Sequence, residues 1–390
     1  MKKKIDLGLI ILIISFLVGI FSKLRISLIL KNFFLATVEP LTLNVVGAII
    51  LILILGNLLN KTGILRNINS SLETFIKDRR LTLIIPSILM GLLPVAAGAM
   101  LSAPVVEESG NKIGLNAETK TFLNYWFRHI WEYVWPIYPA LILAAAIVNV
   151  PIQEIMLNQF PLTLSSIVAG FIFGIRKIPY RSKSKDKSGE SIRGIYRFFF
   201  YAWPIFAIII LVLVFKLNLV LSLLIIVAST LVTTKIKMKK ALLIIKNSLS
   251  WRIVSLIISV MIFKRMLEVS GILLILPKIF NHLGISPLLI LFFLPFFIGL
   301  LTGVTSAFVG VTFPLLLPFI GMKNPNLTYV MLCYAGGFSG VLLSPLHLCL
   351  IVTKDYFKAD LVKVYRLIFL PVIFVIIVAF GIVFVKQFLG

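Results

Sequence analysis

The chain has 390 residues, of which 60% are hydrophobic and 13% charged, and its mean hydropathy is +1.08. This composition excludes most classes of soluble protein and is typical of a chain that crosses a membrane repeatedly. Its 38 Lys and Arg against 14 Asp and Glu give a net charge of +24. In a membrane protein such charge belongs in cytoplasmic loops, so we predict a lipid bilayer and no nucleic acid as partner.

The chain begins with lysines at positions 2–4, followed by the apolar run 5–21 and then by Lys23 and Arg25. A signal peptide is the alternative interpretation of this pattern, but no small-residue cleavage site follows the run. We therefore interpret 5–21 as a retained first crossing, with the N-terminus in the cytoplasm.

Six further apolar runs are candidates for crossings, since about 20 apolar residues span the hydrocarbon. They are 41–59, 160–175, 195–215, 217–234, 251–263 and 364–386. The connecting stretches 176–193 and 235–246 are rich in Lys and Arg and are predicted to be cytoplasmic. The stretch 60–80 places apolar residues at helical spacing among basic ones, which predicts an amphipathic helix on the cytoplasmic surface.

Each half of the chain also contains two long stretches that Gly and Pro interrupt. A shift of 209 residues aligns 125–141 with 334–350 and pairs Tyr125 with Tyr334. With a two-residue gap, 91–104 falls on 299–314. Because whole elements recur in the same order, and because the positions of the basic loops require opposite orientations, we predict two inverted-topology repeats in an all-α polytopic membrane protein.

The predicted segments follow from these alignments. They are a first inverted repeat (1–175) with a re-entrant hairpin (about 81–106) and a broken helix (about 117–150), a cytoplasmic basic loop and linking helix (176–216), and a second inverted repeat (217–390) with its own hairpin (about 288–320) and broken helix (about 326–353). Charge leaves open which of 81–106 and 117–150 is re-entrant. We place the hairpin at 81–106 because its Gly and Pro residues lie at mid-length.

This order of elements resembles the ion-transporter superfamily that contains the citrate, gluconate and dicarboxylate permeases. Within it the chain looks most like an uncharacterised prokaryotic branch with a similar Arg-His-x-x-Glu element before Pro, here Arg128, His129, Glu132 and Pro136. The resemblance covers nearly the whole chain. It implies a multi-pass homodimer in the cytoplasmic inner membrane, with a transport region that moves as an elevator.

In better-known members of that superfamily, a Ser-Asn-Thr type motif at each hairpin tip helps to bind sodium and substrate. The second tip here offers Thr302, Gly303, Thr305 and Ser306, whereas the first has no side-chain oxygen before Ser102. This departure from the family pattern weakens the expectation of sodium coupling.

Gly- and Pro-rich breaks in spanning helices persist only where protein or a water-filled cavity surrounds them, and helix N-termini at such breaks attract anions. The candidate substrate-binding residues at these breaks are Pro94, Ala97, Gly98, Ser102, Thr302, Gly303, Thr305, Ser306, Gly336, Gly337 and Ser339. For the small residues around Gly336, close helix packing is the alternative interpretation.

Arg128, His129 and Glu132 are ionisable residues inside an apolar stretch, where they are expensive and normally face a partner or an aqueous pathway. We predict that Arg128 and His129 bind the substrate anion and that Glu132 and His129 are proton-coupling groups. A purely structural pair is the alternative, since Glu132 lies four residues after Arg128 and three after His129.

The sequence shows no metal-binding motif, and the only cofactor expected is a coupling ion, either H⁺ or Na⁺. Sodium, if it is that ion, would bind near Thr305, Ser306 and Gly337. The two cysteines, Cys333 and Cys349, lie in apolar stretches without ligand spacing and are interpreted as core residues.

Taken together, these features predict a secondary active transporter, and not an enzyme, that moves a small carboxylate-type organic anion across the cytoplasmic membrane by symport. A channel or a translocator of anionic lipid is the alternative, because the basic loops also suit lipid head groups. A remote alternative is an intramembrane serine protease, since residues 337–340 match the G-x-S-G pattern and His347 follows. Pro345 lies between Ser339 and His347 and disfavours the contact that such a protease needs.

Overall fold

The computed structural model describes residues 6–76, 78–92, 98–178 and 188–389. Regular secondary structure in these residues is helical, which confirms the prediction of an all-α protein. Pro94 and Ala97, the lysines at positions 2–4 and residues 179–187 of the basic loop 176–193 lie outside the described residues.

The helices fall into two series joined by a linking helix. The first series comprises α1 (Leu7–Phe21), α2 (Ile26–Val38), α3 (Pro40–Lys61), α4 (Ile64–Phe75), α5 (Arg79–Gly91), α6 (Ala99–Asn111), α7 (Ala117–His129), α8 (Pro139–Val148) and α9 (Ile152–Phe173). The linking helix α10 (Ser188–Ile209) continues as a π-helical turn over Ile210–Val214. The second series comprises α11 (Leu219–Thr233), α12 (Met238–Ser248), α13 (Trp251–Ser270), α14 (Ile272–His282), α15 (Pro287–Thr302), α16 (Thr305–Ile320), α17 (Leu327–Leu342), α18 (Leu348–Phe357) and α19 (Leu361–Leu389).

Helix boundaries recur between the two series at the spacing of the sequence alignment. Asn149 ends α8 and Lys358 ends α18, 209 positions apart, and both adopt the left-handed conformation at φ 58° and 55°. Non-glycine residues rarely adopt this conformation, so its recurrence at paired positions is informative. Helices α9 and α19 then begin 209 positions apart as well. Helix boundaries thus recur at these positions, and the two inverted-topology repeats stay a prediction.

The interruptions lie where Gly and Pro residues fall in the sequence. Helices α5 and α6 pack on each other, as do α15 and α16. Between α7 and α8 the chain leaves the helix over residues 130–138, where Pro136 supplies no N–H, and Pro139 then takes the first position of α8. The second break, at 343–347, contains Pro345. Neither of the broken stretches is therefore one continuous helix.

Among the described residues, four helical segments are long and apolar enough to cross a membrane, or five if the pair α14 and α15, bent by 110°, counts as one span. The four are Pro40–Lys61, Ile152–Phe173, Ile192–Val214 and Leu361–Phe388. Helices α1 and α11, predicted as crossings, have 15 residues each and fall below the usual length. The finding supports a helical membrane protein.

The two series pack on each other in a reciprocal way. Helix α1 packs on α13, while α11 packs on α3, and α8 packs on α16, while α18 packs on α6. Helices α9 and α19 pack together, and each also contacts the first segment of the other half's broken helix. Because helices of each series pack on helices of the other, the two helix breaks lie side by side in the interior of the protein.

Candidate functional site

The first helix break buries three ionisable side chains. Arg128 and His129 are the last two residues of α7, and Glu132 lies in the turn that follows. Their exposed fractions are 4%, 2% and 6%. Buried charge in an apolar protein requires partners, and Arg128 and Glu132 interact electrostatically with each other. The three ionisable side chains are therefore buried, as the sequence predicts. Their role in transport stays a prediction.

His129 meets a second histidine from the other half of the chain. Its Nε2 lies 3.1 Å from Nε2 of His347, the residue that precedes α18, although 218 positions separate the two in sequence. The remaining ring nitrogens face backbone carbonyls: His129 Nδ1 lies 2.6 Å from the oxygen of Tyr125, and His347 Nδ1 lies 2.8 Å from that of Gly303. Both rings are thereby held in fixed orientations.

Cys349 completes a cluster with these two histidines. It lies in the first turn of α18, two residues after His347, and is 8% exposed. Its Sγ and one ring nitrogen from each histidine all lie within 4.8 Å of one another. Cys333 is buried in the core as the sequence predicts. Cys349 is buried too, but it also belongs to this cluster, which its sequence spacing did not indicate.

Glu132 is hydrogen-bonded to the start of α16, in the segment predicted as the second hairpin. Oγ1 of Thr305 donates a hydrogen bond of 3.2 Å to Oε2 of Glu132. Thr305 is the first residue of α16, and a carboxylate near a helix N-terminus is stabilised by the partial positive charge there. The carbonyl of Glu132 also accepts a hydrogen bond of 3.0 Å from the hydroxyl of Tyr334 in α17. Glu132 thus contacts two elements of the other half of the chain.

The other three residues predicted to bind substrate between α15 and α16 make different contacts from those of Thr305. Gly303 ends α15 in the left-handed conformation, at φ 64°, and presents its carbonyl to His347. Thr302 bonds back to its own helix at Ile298, and Ser306 is half-buried. Of the four predicted residues, Gly303 therefore contacts His347 directly, and Thr305 contacts Glu132.

A polar network joins α5, α6 and α7, which include the segment predicted as the first hairpin. Oδ1 of Asn124, in α7, accepts hydrogen bonds from Ser102 at 2.6 Å and from Ser87 at 2.8 Å, while its amide nitrogen donates to the carbonyl of Ala99 at 3.0 Å. All of these residues are buried. Ser102 is therefore engaged within this network, and Gly98 precedes α6 as its N-cap.

The small residues of α17 lie at helix contacts. A methyl group on Gly336 would overlap the carbonyl of Phe292 in α15, and one on Gly337 would overlap the ring of Phe308 in α16. This is the close packing that small residues permit between membrane helices. These two predicted substrate-binding residues therefore contact neighbouring helices.

Ser339 is also buried, and its Oγ has no hydrogen-bond partner among the described residues. The ring nitrogens of His347 face Gly303 and His129 instead. The serine–histidine hydrogen bond that the protease hypothesis needs is thus not formed in the described part of the chain.

Sequence reasoning missed the largest part of the cluster. It considered His347 only as a protease base, and it did not single out Asn124 as a residue of the site. One signal was available, because His347 aligns with Tyr138 at the 209-residue shift and each directly precedes the second segment of a broken helix. Tyr138 donates a hydrogen bond to the carbonyl of Gly91, at the end of α5, much as His347 bonds to Gly303 at the end of α15.

A comparison with curated proteins gives no match. A family model described as "Protein of unknown function (DUF401)" matches residues 1–385. The match covers nearly all of the 390 residues, including both helix breaks and the buried cluster. The chain therefore belongs to the DUF401 family.

Proposed function

We propose that the protein is a secondary active carrier for a small organic anion of the carboxylate type, driven by H⁺ or Na⁺. We further propose that it belongs to the ion-transporter superfamily and works as a homodimer in the cytoplasmic membrane, with inverted repeats and an elevator motion. In this proposal α1 to α3 and α11 to α13, which pack on one another, form the static scaffold.

The observation that carries the proposal is the meeting of both helix breaks at one buried point. His129 from the first break lies against His347 from the second, and Glu132 is bonded to the N-terminal residue of α16. Interrupted helices from two repeats that meet in this way build the substrate sites of many secondary carriers. A structural role alone does not require ionisable groups from both halves in one place.

The charges at this point favour an anion. Arg128 is buried and always protonated, and α16 and α18 begin at the cluster with the partial positive charge of their N-termini. Glu132 supplies the one carboxylate identified there. An anionic substrate would satisfy the excess of positive charge, as carboxylates do at other helix N-termini.

Glu132 is the group we assign to coupling. Its carboxylate bonds to Thr305 on the second hairpin, so protonation would change a contact between the halves. The side chains of Glu132 and Thr305 would also supply oxygen ligands if sodium is the coupling ion. Gly337, also predicted near a sodium ion, packs against Phe308. Proton coupling through Glu132 is therefore the better supported form.

Reconstitution into proteoliposomes tests the proposal. A thermal-shift screen of organic acids at several pH values, with and without sodium, would first identify ligands. Uptake of those ligands should then saturate with concentration and respond to an imposed proton or sodium gradient. Conductance that rises linearly with substrate and ignores both gradients would overturn the carrier and favour a channel.

A cleft of about 550 Å³ supports lipid binding as a second candidate. Four lysines line it, Lys61, Lys235, Lys237 and Lys240, beside the aromatic residues Phe200, Tyr201 and Trp203. Lysines near a membrane surface attract anionic head groups, each contributing about 1 kcal/mol. Retention of anionic lipid by the purified protein, lost when Lys237 and Lys240 are both changed to Ala, would support this candidate; equal retention by both proteins would contradict it.

A further inference from the structure

The ring nitrogens that His129 and His347 turn toward each other have a definite protonation pattern. Each Nδ1 faces a backbone carbonyl oxygen, at 2.6 Å for His129 and 2.8 Å for His347. A carbonyl only accepts hydrogen bonds, so each Nδ1 must carry the proton. In a neutral imidazole the other nitrogen then holds a lone pair. The two Nε2 atoms, 3.1 Å apart, consequently present two lone pairs to one point.

Two facing lone pairs in a buried site repel each other unless a cation or a hydrogen-bond donor lies between or beside them. The third nearby group, Sγ of Cys349, is another electron-pair donor, and the three atoms all lie within 4.8 Å of one another. All three side chains are at least nine-tenths buried, so bulk water does not solvate them. The cluster therefore has the donors of a cation site and lacks a donor hydrogen directed into it from either imidazole.

We propose that His129, His347 and Cys349 bind one transition-metal ion of the zinc type. Two nitrogens that are each about 2.0–2.1 Å from a tetrahedral zinc lie about 3.3 Å apart, close to the spacing of the two Nε2 atoms. Metal-binding histidines usually donate their other N–H to a carbonyl or carboxylate, as both of these do. Two imidazoles and a thiolate select a borderline or soft metal over magnesium or calcium.

The surrounding charges are compatible with a divalent ion. The Cys349 thiolate would bind the metal directly, and the carboxylate of Glu132 lies in the same buried region. Arg128 adds one positive charge, so the loaded site would carry a net charge of about +1. Three protein ligands leave one tetrahedral position for water or a small anion. The site would then hold a metal whose last ligand is exchangeable, whether or not the protein transports that ligand.

Cobalt substitution in the purified full-length protein tests the inference. The protein is stripped with a chelator, dialysed and titrated with Co²⁺, and a second sample is titrated with Zn²⁺ and assayed for bound metal. We expect one metal per chain, a thiolate-to-cobalt charge-transfer band in the near ultraviolet, and tetrahedral cobalt bands that zinc abolishes by competition. The measurement contains no transport step, so its outcome is independent of the carrier proposal.

Matched variants assign the ligands. Cys333→Ser removes the other cysteine and should keep the charge-transfer band, whereas Cys349→Ser should lose it. His347→Ala should weaken zinc binding by at least about 100-fold, since changes outside the ligand shell alone cost 10- to 100-fold, while His282→Ala should have no effect. Because a variant in the cluster can fail to fold, the wild-type and Cys333→Ser spectra decide by themselves: a thiolate band in both requires Cys349 as a ligand.

Three results would overturn the inference. They are the absence of stoichiometric metal in the wild-type protein, a cobalt spectrum without a thiolate band, and a band that disappears in Cys333→Ser while the variant remains folded.

Discussion

The hydroxyl groups of Tyr125 and Tyr334 reach across the interior of the protein in opposite directions. Tyr125, in α7, donates to the carbonyl of Leu342 at 3.0 Å, and Tyr334, in α17, donates to the carbonyl of Glu132 at 3.0 Å. Each accepting carbonyl lies in or directly before the other helix break, where the helical hydrogen-bond ladder stops. The two tyrosines, 209 positions apart, therefore satisfy backbone groups that a broken helix leaves unpaired.

Removing either hydroxyl should destabilise the junction of the two halves. We expect Tyr125→Phe and Tyr334→Phe each to lower the free energy of unfolding by about 1–3 kcal/mol, because a buried carbonyl loses its partner. Thermal unfolding in detergent measures the effect. The control is Tyr196→Phe, which changes a tyrosine that is 72% exposed. Equal stability of all three variants would refute the structural role of these bonds.

The hydrogen bond between Thr305 and Glu132 should matter more for transport than the hydrogen bond that Thr302 makes within its own helix. Thr305→Val keeps the shape of the side chain but removes the hydroxyl that donates to Glu132. We expect Thr305→Val to lose about 1.5–3 kcal/mol of interaction free energy, which is typical of a hydrogen bond to a charged group. The loss should be measured as slower uptake or as a lower free energy of unfolding. Thr302→Val is the matched control, since Thr302 bonds within its own helix. Indistinguishable variants would show that the Glu132 contact has no functional part.

Arg128 should be required for binding the anion. Arg128→Ala is expected to abolish ligand-induced thermal stabilisation and uptake while the protein remains folded as a dimer. Arg128→Lys should recover part of both, since it keeps the charge but loses the planar guanidinium. Arg265→Ala, which removes contacts to Asn32 and Glu39 away from the cluster, is the control. Unchanged uptake by Arg128→Ala would count decisively against its proposed role.

Glu132 should determine the pH dependence of uptake. Glu132→Gln cannot gain or lose a proton, so uptake should become insensitive to an imposed pH gradient before substrate binding is lost. Glu107→Gln is the control, because Glu107 accepts a hydrogen bond from Tyr356 outside the cluster. Uptake by proteoliposomes at several pH values measures both variants. A Glu132→Gln protein that still follows the pH gradient would exclude this residue as the coupling group.

Two glycines should be intolerant of a methyl group. A Cβ on Gly91 would overlap the carbonyl of Arg128, and one on Gly299 would overlap that of Gly337. We expect Gly91→Ala and Gly299→Ala to destabilise the protein by about 1–3 kcal/mol, as overpacking usually does. Gly47→Ala, where nothing lies within 4 Å of the new methyl group, should be neutral or slightly stabilising. Thermal unfolding distinguishes these outcomes, and equal midpoints would contradict the close approach.

Much of the architecture follows from local sequence signals. Apolar runs predict helices in lipid, because every backbone group there must be hydrogen-bonded within the segment. Pro136 and Pro345 mark the two breaks, because proline supplies no N–H to continue a helix. Arg128, His129 and Glu132 stand out by themselves, because charge inside an apolar stretch is costly wherever the chain folds.

The composition of the site was decided by tertiary structure. His347 and Cys349 belong to the site only because helix packing brings them to His129, more than 200 positions away in sequence. Gly336 and Gly337 likewise pack against Phe292 and Phe308, and this depends on which face of α17 meets α15 and α16. Sequence alone determined that this is a membrane protein with charge buried at a break in its first half. Only the fold decided what meets that charge, because side-chain contacts between distant segments depend on how whole helices pack, and no local pattern encodes that packing.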